Sequence, residues 1–250
     1  GGTMTELEIE EISVPTLGRP SYMVVGYPDA GLVGVITTEF LIRSLNMRPF
    51  ASLVSKGGFP IAYVSNSVAV SPFQFYHAQN VVIFHSWVAL QSNMVGPVSS
   101  KIVDYAQKLG IDEIISITGV PVPNRLDLEK LNMYYIASDE EVAKNLSAFE
   151  ELKPFGDGYM VGPYAPLLLL SKSRGVRNAV FVVDSFLDIP DPEASATVLQ
   201  FLSKYIGFTI DVSELHKEAE EIRSKIRGLM EQTKQELRNY MPGRGPMTYT

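Results

Sequence analysis

A chain of 250 residues, 46% hydrophobic and free of cysteine, can bury a core as one α/β domain or two small ones, and it excludes a disulfide framework, a thiol nucleophile and any thiolate metal site. Its formal charge of −7 argues against non-specific nucleic-acid binding, which needs Lys and Arg patches to neutralise phosphates. No secretory signal follows Met4 and no apolar run reaches the roughly 18 residues of a membrane span, so the expected setting is cytoplasmic, with no membrane or nucleic-acid partner.

The core is counted from Met4, with Gly1-Gly2-Thr3 set aside. Short apolar runs predict strands over 22–27, 51–55, 61–64, 68–70, 81–85, 113–118, 134–137 and 179–184. Between them, helical spacing predicts helices over 32–45, 95–109, 139–146, 164–174 and 192–205. Strands alternating with helices imply a three-layer αβα sandwich on a mostly parallel sheet. The strand signals packed between residues 51 and 85 add an antiparallel excursion, so the sheet is mixed. Gly110, Gly175 and Gly207 stand where helix C-caps want a left-handed residue.

The chain then changes character. Residues 1–210 carry the whole −7, whereas 211–250 hold seven basic and seven acidic residues. Asp211 and Glu214 form a capping-box-like start. Leu215, Ala219, Ile222, Ile226 and Leu229 follow with 4-3-4-3 spacing, the seam of a coiled coil or of a helix lying in a groove. Three parts are expected: a core over 4–210, an amphipathic helix over 211–241, and a flexible tail over 242–250. The helix either wraps the body or projects to meet copies of itself.

The glycine-rich turn Gly26-Tyr27-Pro28-Asp29-Ala30-Gly31-Leu32-Val33-Gly34 joins a buried strand to a helix, where nucleotide-binding folds seat a phosphate. It lacks both the P-loop Lys-Ser/Thr and the full dinucleotide fingerprint. Gly31 and Gly34 therefore serve either a ligand or, more simply, a tight turn and close helix–sheet packing. Lys56, in a Gly-rich turn, is either an anion contact or part of a hairpin loop. His85 ends an apolar strand but has no catalytic partner legible in the sequence, and Gly-x-Ser-x-Gly and His-Glu-x-x-His are both absent. In the acidic run 184–195, Asp191, Pro192 and Glu193 read as a helix start, and Asp184 and Asp188 stay unassigned. No catalytic set, metal site or cofactor is predicted.

The stretches 26–34 and Asp-Ile-Pro-Asp-Pro-Glu-Ala-Ser-Ala at 188–196, with Val198, Leu199 and Leu202, then Ile210-Asp211-Val212-Ser213-Glu214-Leu215, resemble the proteasome assembly chaperone 2 family over about residues 5–230. The resemblance implies a phosphorylase-like αβα sandwich without established catalysis, homo-oligomers among archaeal relatives, and proteasome α subunits as partners. Some archaeal relatives end in a hydrophobic-Tyr-any signature that docks between α subunits. Here the end is Thr248-Tyr249-Thr250: Tyr249 matches, and Thr248 replaces the large apolar residue.

Two functions follow. In the first, the chain is a non-enzymatic, homo-oligomeric chaperone-like scaffold that binds itself and proteasome α subunits or another protein through Leu215, Ile222, Ile226, Leu229 and Tyr249. In the second, it is a nucleoside- or nucleotide-binding protein or enzyme whose crevice uses Gly31, Gly34, Lys56, His85 and Asp184.

Overall fold

The structure, a computed structural model, describes residues 6–217 and 219–240, with the side chains of 219–223 and 225 left aside. The first half runs β1 (Leu7–Glu11), β2 (Tyr22–Gly26), α1 (Val33–Ser44), β3 (Arg48–Ser55), β4 (Tyr63–Ser65), β5 (Val68–Val70), β6 (Phe73–Ala78), β7 (Val81–Ser86) and α2 (Ser92–Leu109). The second runs β8 (Glu113–Pro121), β9 (Met133–Ala137), α3 (Glu140–Leu146), β10 (Leu152–Pro154), α4 (Tyr164–Ser173), β11 (Asn178–Ser185), α5 (Pro192–Leu202), α6 (Ser213–Lys217) and α7 (Ala219–Asn239).

Nine strands form one sheet in the order β1-β3-β6-β7-β2-β8-β11-β9-β10, while β4 and β5 pair as a separate hairpin. Its centre, β7-β2-β8-β11, is parallel throughout. These four strands are covered on both faces, which is why they read as continuous apolar runs and not as alternations. The expected antiparallel excursion is present as β3, β6 and β7, each antiparallel to the next. The fold is the αβα sandwich with a mixed sheet that the alternation predicts.

Three strands have no counterpart in the sequence reading. β1 carries Glu8, Glu10 and Glu11 along an outer edge, where charge deters edge-to-edge association but hides the apolar pattern. β6 interrupts its aromatic positions with Gln74 and His77, and β10 is only three residues long. The predicted strand over 61–64 is displaced to Tyr63–Ser65 and lies outside the main sheet. The predicted helix over 192–205 keeps α geometry to Leu202 and then widens into a π turn, Ser203–Gly207.

One core lies under α1, α3 and α5, the other under α2 and α4. Ile226, Leu229 and Met230 of α7 belong to the first core, as does Leu215 of α6. Tyr240, just beyond α7, packs against the second. At 21 residues α7 spans about 31 Å, enough to pass from one face of the sheet to the other. Of the two dispositions open to it, the helix wraps the body.

Candidate functional site

The carboxyl ends of parallel strands are where open α/β folds bind ligands, and the turn 26–34 lies at that edge. Three glycines let it close. A Cβ at position 34 would stand 2.6 Å from Tyr164 Oη and 2.7 Å from the Ile117 carbonyl oxygen, so helix α1 touches the sheet at a distance only glycine permits. A Cβ at position 26 would collide with the side chain of Thr38. Gly31 adopts φ +60°, and its Cβ would meet the Phe186 carbonyl oxygen at 2.9 Å. Leu32 follows at φ +50° with its side chain fully buried, a conformation that costs an L residue about 1–2 kcal/mol.

The Gly31 N–H, a donor that could face a phosphate, is taken. Gly31 N–H donates to the Leu187 carbonyl at 2.9 Å, and the Gly31 carbonyl accepts from Asp191 N–H at 2.9 Å. The turn is thus bonded to the loop between β11 and α5. Asp191 caps α5, accepting from Ala194 N–H at 3.1 Å, and receives two 2.8 Å bonds from Arg125. Arg125 also bonds Glu193 and lies over the Phe186 ring. These carboxylates lift the guanidinium pKa further above its ordinary value.

Asp29 is 2% exposed and accepts a 2.5 Å bond from Thr118 Oγ1. Beside it, Tyr164 Oη accepts from Tyr27 N–H at 2.8 Å and donates to the Val25 carbonyl at 3.2 Å. Burial and the Asp29 charge push the Tyr164 phenol well above its usual range. The cavity between Asp29, Thr118, Tyr164 and Met160 is about 20 Å³, room for about one water.

The other crevice candidates do not converge. His85 projects toward α1 from β7, where its Nδ1 shares a 2.7 Å bond with Thr38 Oγ1. Its Nε2 lies 3.6 Å from Glu39 without a hydrogen bond, and its ring meets Trp87 edge-on. Burial pushes this imidazole down to about 4 although Glu39 pulls it up, so it is neutral at pH 7. Asp184 alternates with Val183 and so leaves the opposite face of the sheet, accepting from Asn132 N–H at 2.8 Å and Asn132 Nδ2 at 3.0 Å. Three strand spacings, about 14 Å, separate the strands bearing His85 and Asp184. Lys56 lies after β3, five strand positions from β11, and pairs with Glu8 at 3.2 Å.

Helix α7 crosses this edge. Gln232 Oε1 accepts from Ala89 N–H at 3.2 Å, after β7, and Lys234 Nζ lies 3.9 Å from Asp188, after β11. The Tyr240 hydroxyl donates to the Leu90 carbonyl at 3.3 Å. Leu215, Ile226 and Leu229 are 0%, 4% and 8% exposed, and their apolar surface is already buried against this chain's own core. The side chain of Ile222, and Tyr249 with the tail, lie outside the described residues. Arg125 and Tyr164 escaped the sequence reading because their partners are 66 and 137 residues away. A tyrosine opening the leucine-rich run 164–170 was the one available signal.

Among the described residues no group of three or more His, Asp or Glu side chains is placed to hold a metal, and no helix is long and apolar enough to cross a membrane.

These features define a three-layer α/β sandwich whose strand-end crevice is filled by its own turns and overlaid by its own last helix. Residues 23–230 match the PAC2 family, and the chain belongs to it. Crystal structures agree. Pyrococcus furiosus PbaA, described as an archaeal homolog of proteasome-assembly chaperone, superposes with a TM-score of 0.81 at 27% identity, covering 92% of this chain and 98% of that one. Pyrococcus furiosus PbaB, described as an archaeal proteasome activator, shares the fold with a TM-score of 0.75 at 23% identity, over 90% and 98% of the two chains. An uncharacterized protein of Methanocaldococcus jannaschii is 25% identical over 211 residues, 84% of this chain and 85% of its own length.

Proposed function

We propose that this protein is a non-enzymatic, homo-oligomeric chaperone-like scaffold that binds proteasome α subunits. The observation that carries the reading is the occupied carboxyl edge. The Gly31 N–H is bonded to the Leu187 carbonyl, the Gly31 carbonyl accepts from Asp191 N–H, and α7 lies over the strand ends. What is left for function is surface, and the PbaA likeness supplies the class of partner. The inward seam of Leu215, Ile226 and Leu229 is engaged within the chain, so a partner reaching these residues must first lift the helix. Contact is therefore assigned mainly to the segment beyond Tyr240. Tyr249 supplies a ring and a hydroxyl for a pocket with one polar tip. Thr248 forgoes about 1–3 kcal/mol of apolar burial per site, which several tails on one oligomer offset through multivalency.

Sedimentation of the chain alone and mixed with purified archaeal 20S proteasome or free α subunits tests the proposal. A homo-oligomer that co-sediments with either is the expected result. A monomer that sediments independently of both overturns it.

A further inference from the structure

The β10 edge of the sheet is left unfinished. β10 has only three residues, Leu152–Pro154, parallel to Met133–Tyr135 of β9. One further bond, from Phe155 N–H to the Tyr135 carbonyl at 3.1 Å, ends the ladder. Gly156 then adopts φ +79°, a left-handed turn that carries the chain off the sheet. β9 runs on through Ile136 and Ala137, still paired with β11 on its inner side. A groove of about 570 Å³ opens at this point between β9, α4 and residues 154–160.

The backbone of β9 has an open position in that groove. Ser138 N–H donates to the Asn178 carbonyl and Asp184 N–H to the Asn132 carbonyl, both at 3.0 Å, so β9 meets β11 through its even-numbered residues. The odd-numbered ones face outward. Tyr135 is served by β10, but the N–H and carbonyl of Ala137 have no backbone partner among the described residues. By the same alternation Pro154, which has no N–H to offer, faces away from β9 and blunts the outer edge of β10.

The walls beside Ala137 are unequal. Ile136 packs with Leu168 on the α4 side, and Tyr159 and Leu169 extend that apolar wall at 81% and 65% exposure. On the α3 side stands only Ala143. Asp157 is the one charged side chain among the residues that line the groove.

We propose that this gap accepts an extended segment of another polypeptide, added as a short strand beside β9. A strand turns successive side chains to opposite faces, so the two walls dictate the guest. Bulky apolar residues at every second position meet Ile136, Leu168 and Leu169, small residues between them meet Ala143, and a flanking Lys or Arg meets Asp157. The site is separate from the C-terminal contact proposed above and does not depend on it.

Fluorescein-labelled Lys-Ala-Val-Ala-Leu-Ala-Lys supplies this pattern. Lys-Ala-Ala-Val-Leu-Ala-Lys has the same composition but sends its two bulky residues to opposite faces. Anisotropy titrations of the full-length protein should show saturable binding of the first, at least about tenfold tighter than of the second. Leu169→Asp should weaken that binding at least about tenfold, and Ile12→Asp, at a residue 79% exposed beyond β1 on the opposite edge, should not. Both positions are exposed, so both variants should fold. Methylating the amide nitrogen of the central Ala or of the Leu that follows separates strand addition from general apolar adhesion. Only one of these neighbouring N–H groups can face β9, so one methyl should abolish binding and the other leave it largely intact. Bound peptide should also slow hydrogen exchange at the Ala137 amide. Absence of saturable binding, equal affinity for the two sequences, or equal loss from the two methylations overturns the proposal. So does a change in sedimentation of the peptide-free protein on Leu169→Asp, which would place a second copy over the groove.

Discussion

Tyr164 Oη stands 2.6 Å from the point where a Cβ of residue 34 would be placed. The first strand-to-helix turn of an open α/β fold commonly seats a ligand's phosphate, and here a phenol from α4 occupies its inner side. Gly34→Ala should therefore destabilise the fold by about 1–3 kcal/mol, although alanine is the better helix former. Urea denaturation reads this as a lower midpoint with unchanged slope. An unchanged midpoint would mean that α1 and α4 are not packed as described.

Arg125 and Asp191 are 5% and 2% exposed at their side chains and joined by two hydrogen bonds. Removing one member of such a pair strands the other charge. Arg125→Ala should cost about 3–5 kcal/mol, and Arg125→Lys should recover only part of it because an ammonium cannot form the planar fork. Chemical denaturation of both variants checks the order. Full stability of Arg125→Ala would mean that this pair does not clamp the turn to α5.

His85 gives a pH dependence of definite sign. Its folded imidazole titrates near 4, below the 6.5 of an exposed histidine, because burial disfavours the charged form. Between these values the unfolded chain takes up a proton that the folded chain refuses. The contribution is therefore complete above about pH 6.5 and is lost as pH falls toward 4, amounting to about 3 kcal/mol. The unfolding midpoint measured from pH 7 to 4.5 should fall less steeply in His85→Gln than in the unsubstituted protein. Parallel profiles would contradict the assignment.

Leu229 on α7 is 8% exposed, whereas Ile189 in the loop before α5 is 52% exposed. Leu229→Ala should cost about 2–5 kcal/mol and Ile189→Ala about 0.5 kcal/mol or less. The same burial revises what truncation means. The sequence treats 211–250 as separable, but cutting there uncovers the core around Leu215, Ile226 and Met230. Thermal melting of a chain ending at residue 210 should show a large loss of stability, and one ending at 240 little change.

The parallel strands were legible because burial on both faces leaves an uninterrupted apolar signature, as in Asn178–Ser185. β1 was not, since an edge strand defends itself with glutamates at the expense of that pattern. The packing role of Gly31 and Gly34 could be anticipated from the missing phosphate motifs. Their contact atoms could not, because Tyr164 and Phe186 arrive from distant parts of the chain. Grouping Lys56, His85 and Asp184 by their places at strand ends overlooked strand order and face. Sequence reports where a strand ends, but only the assembled sheet reports which ends are neighbours. The seam of Leu215, Ile226 and Leu229 was legible as a buried stripe but not as to what it is buried against.

On the function proposed above, the protein acts by contact through its C-terminal segment and not by strand-end chemistry. The most direct measurement is a binding titration of immobilised archaeal proteasome α subunits with the unsubstituted protein and with Tyr249→Ala. Saturable binding that weakens at least about tenfold in the variant, equivalent to about 1.4 kcal/mol, is the predicted result. Equal binding by the two proteins, or binding by neither, would contradict it.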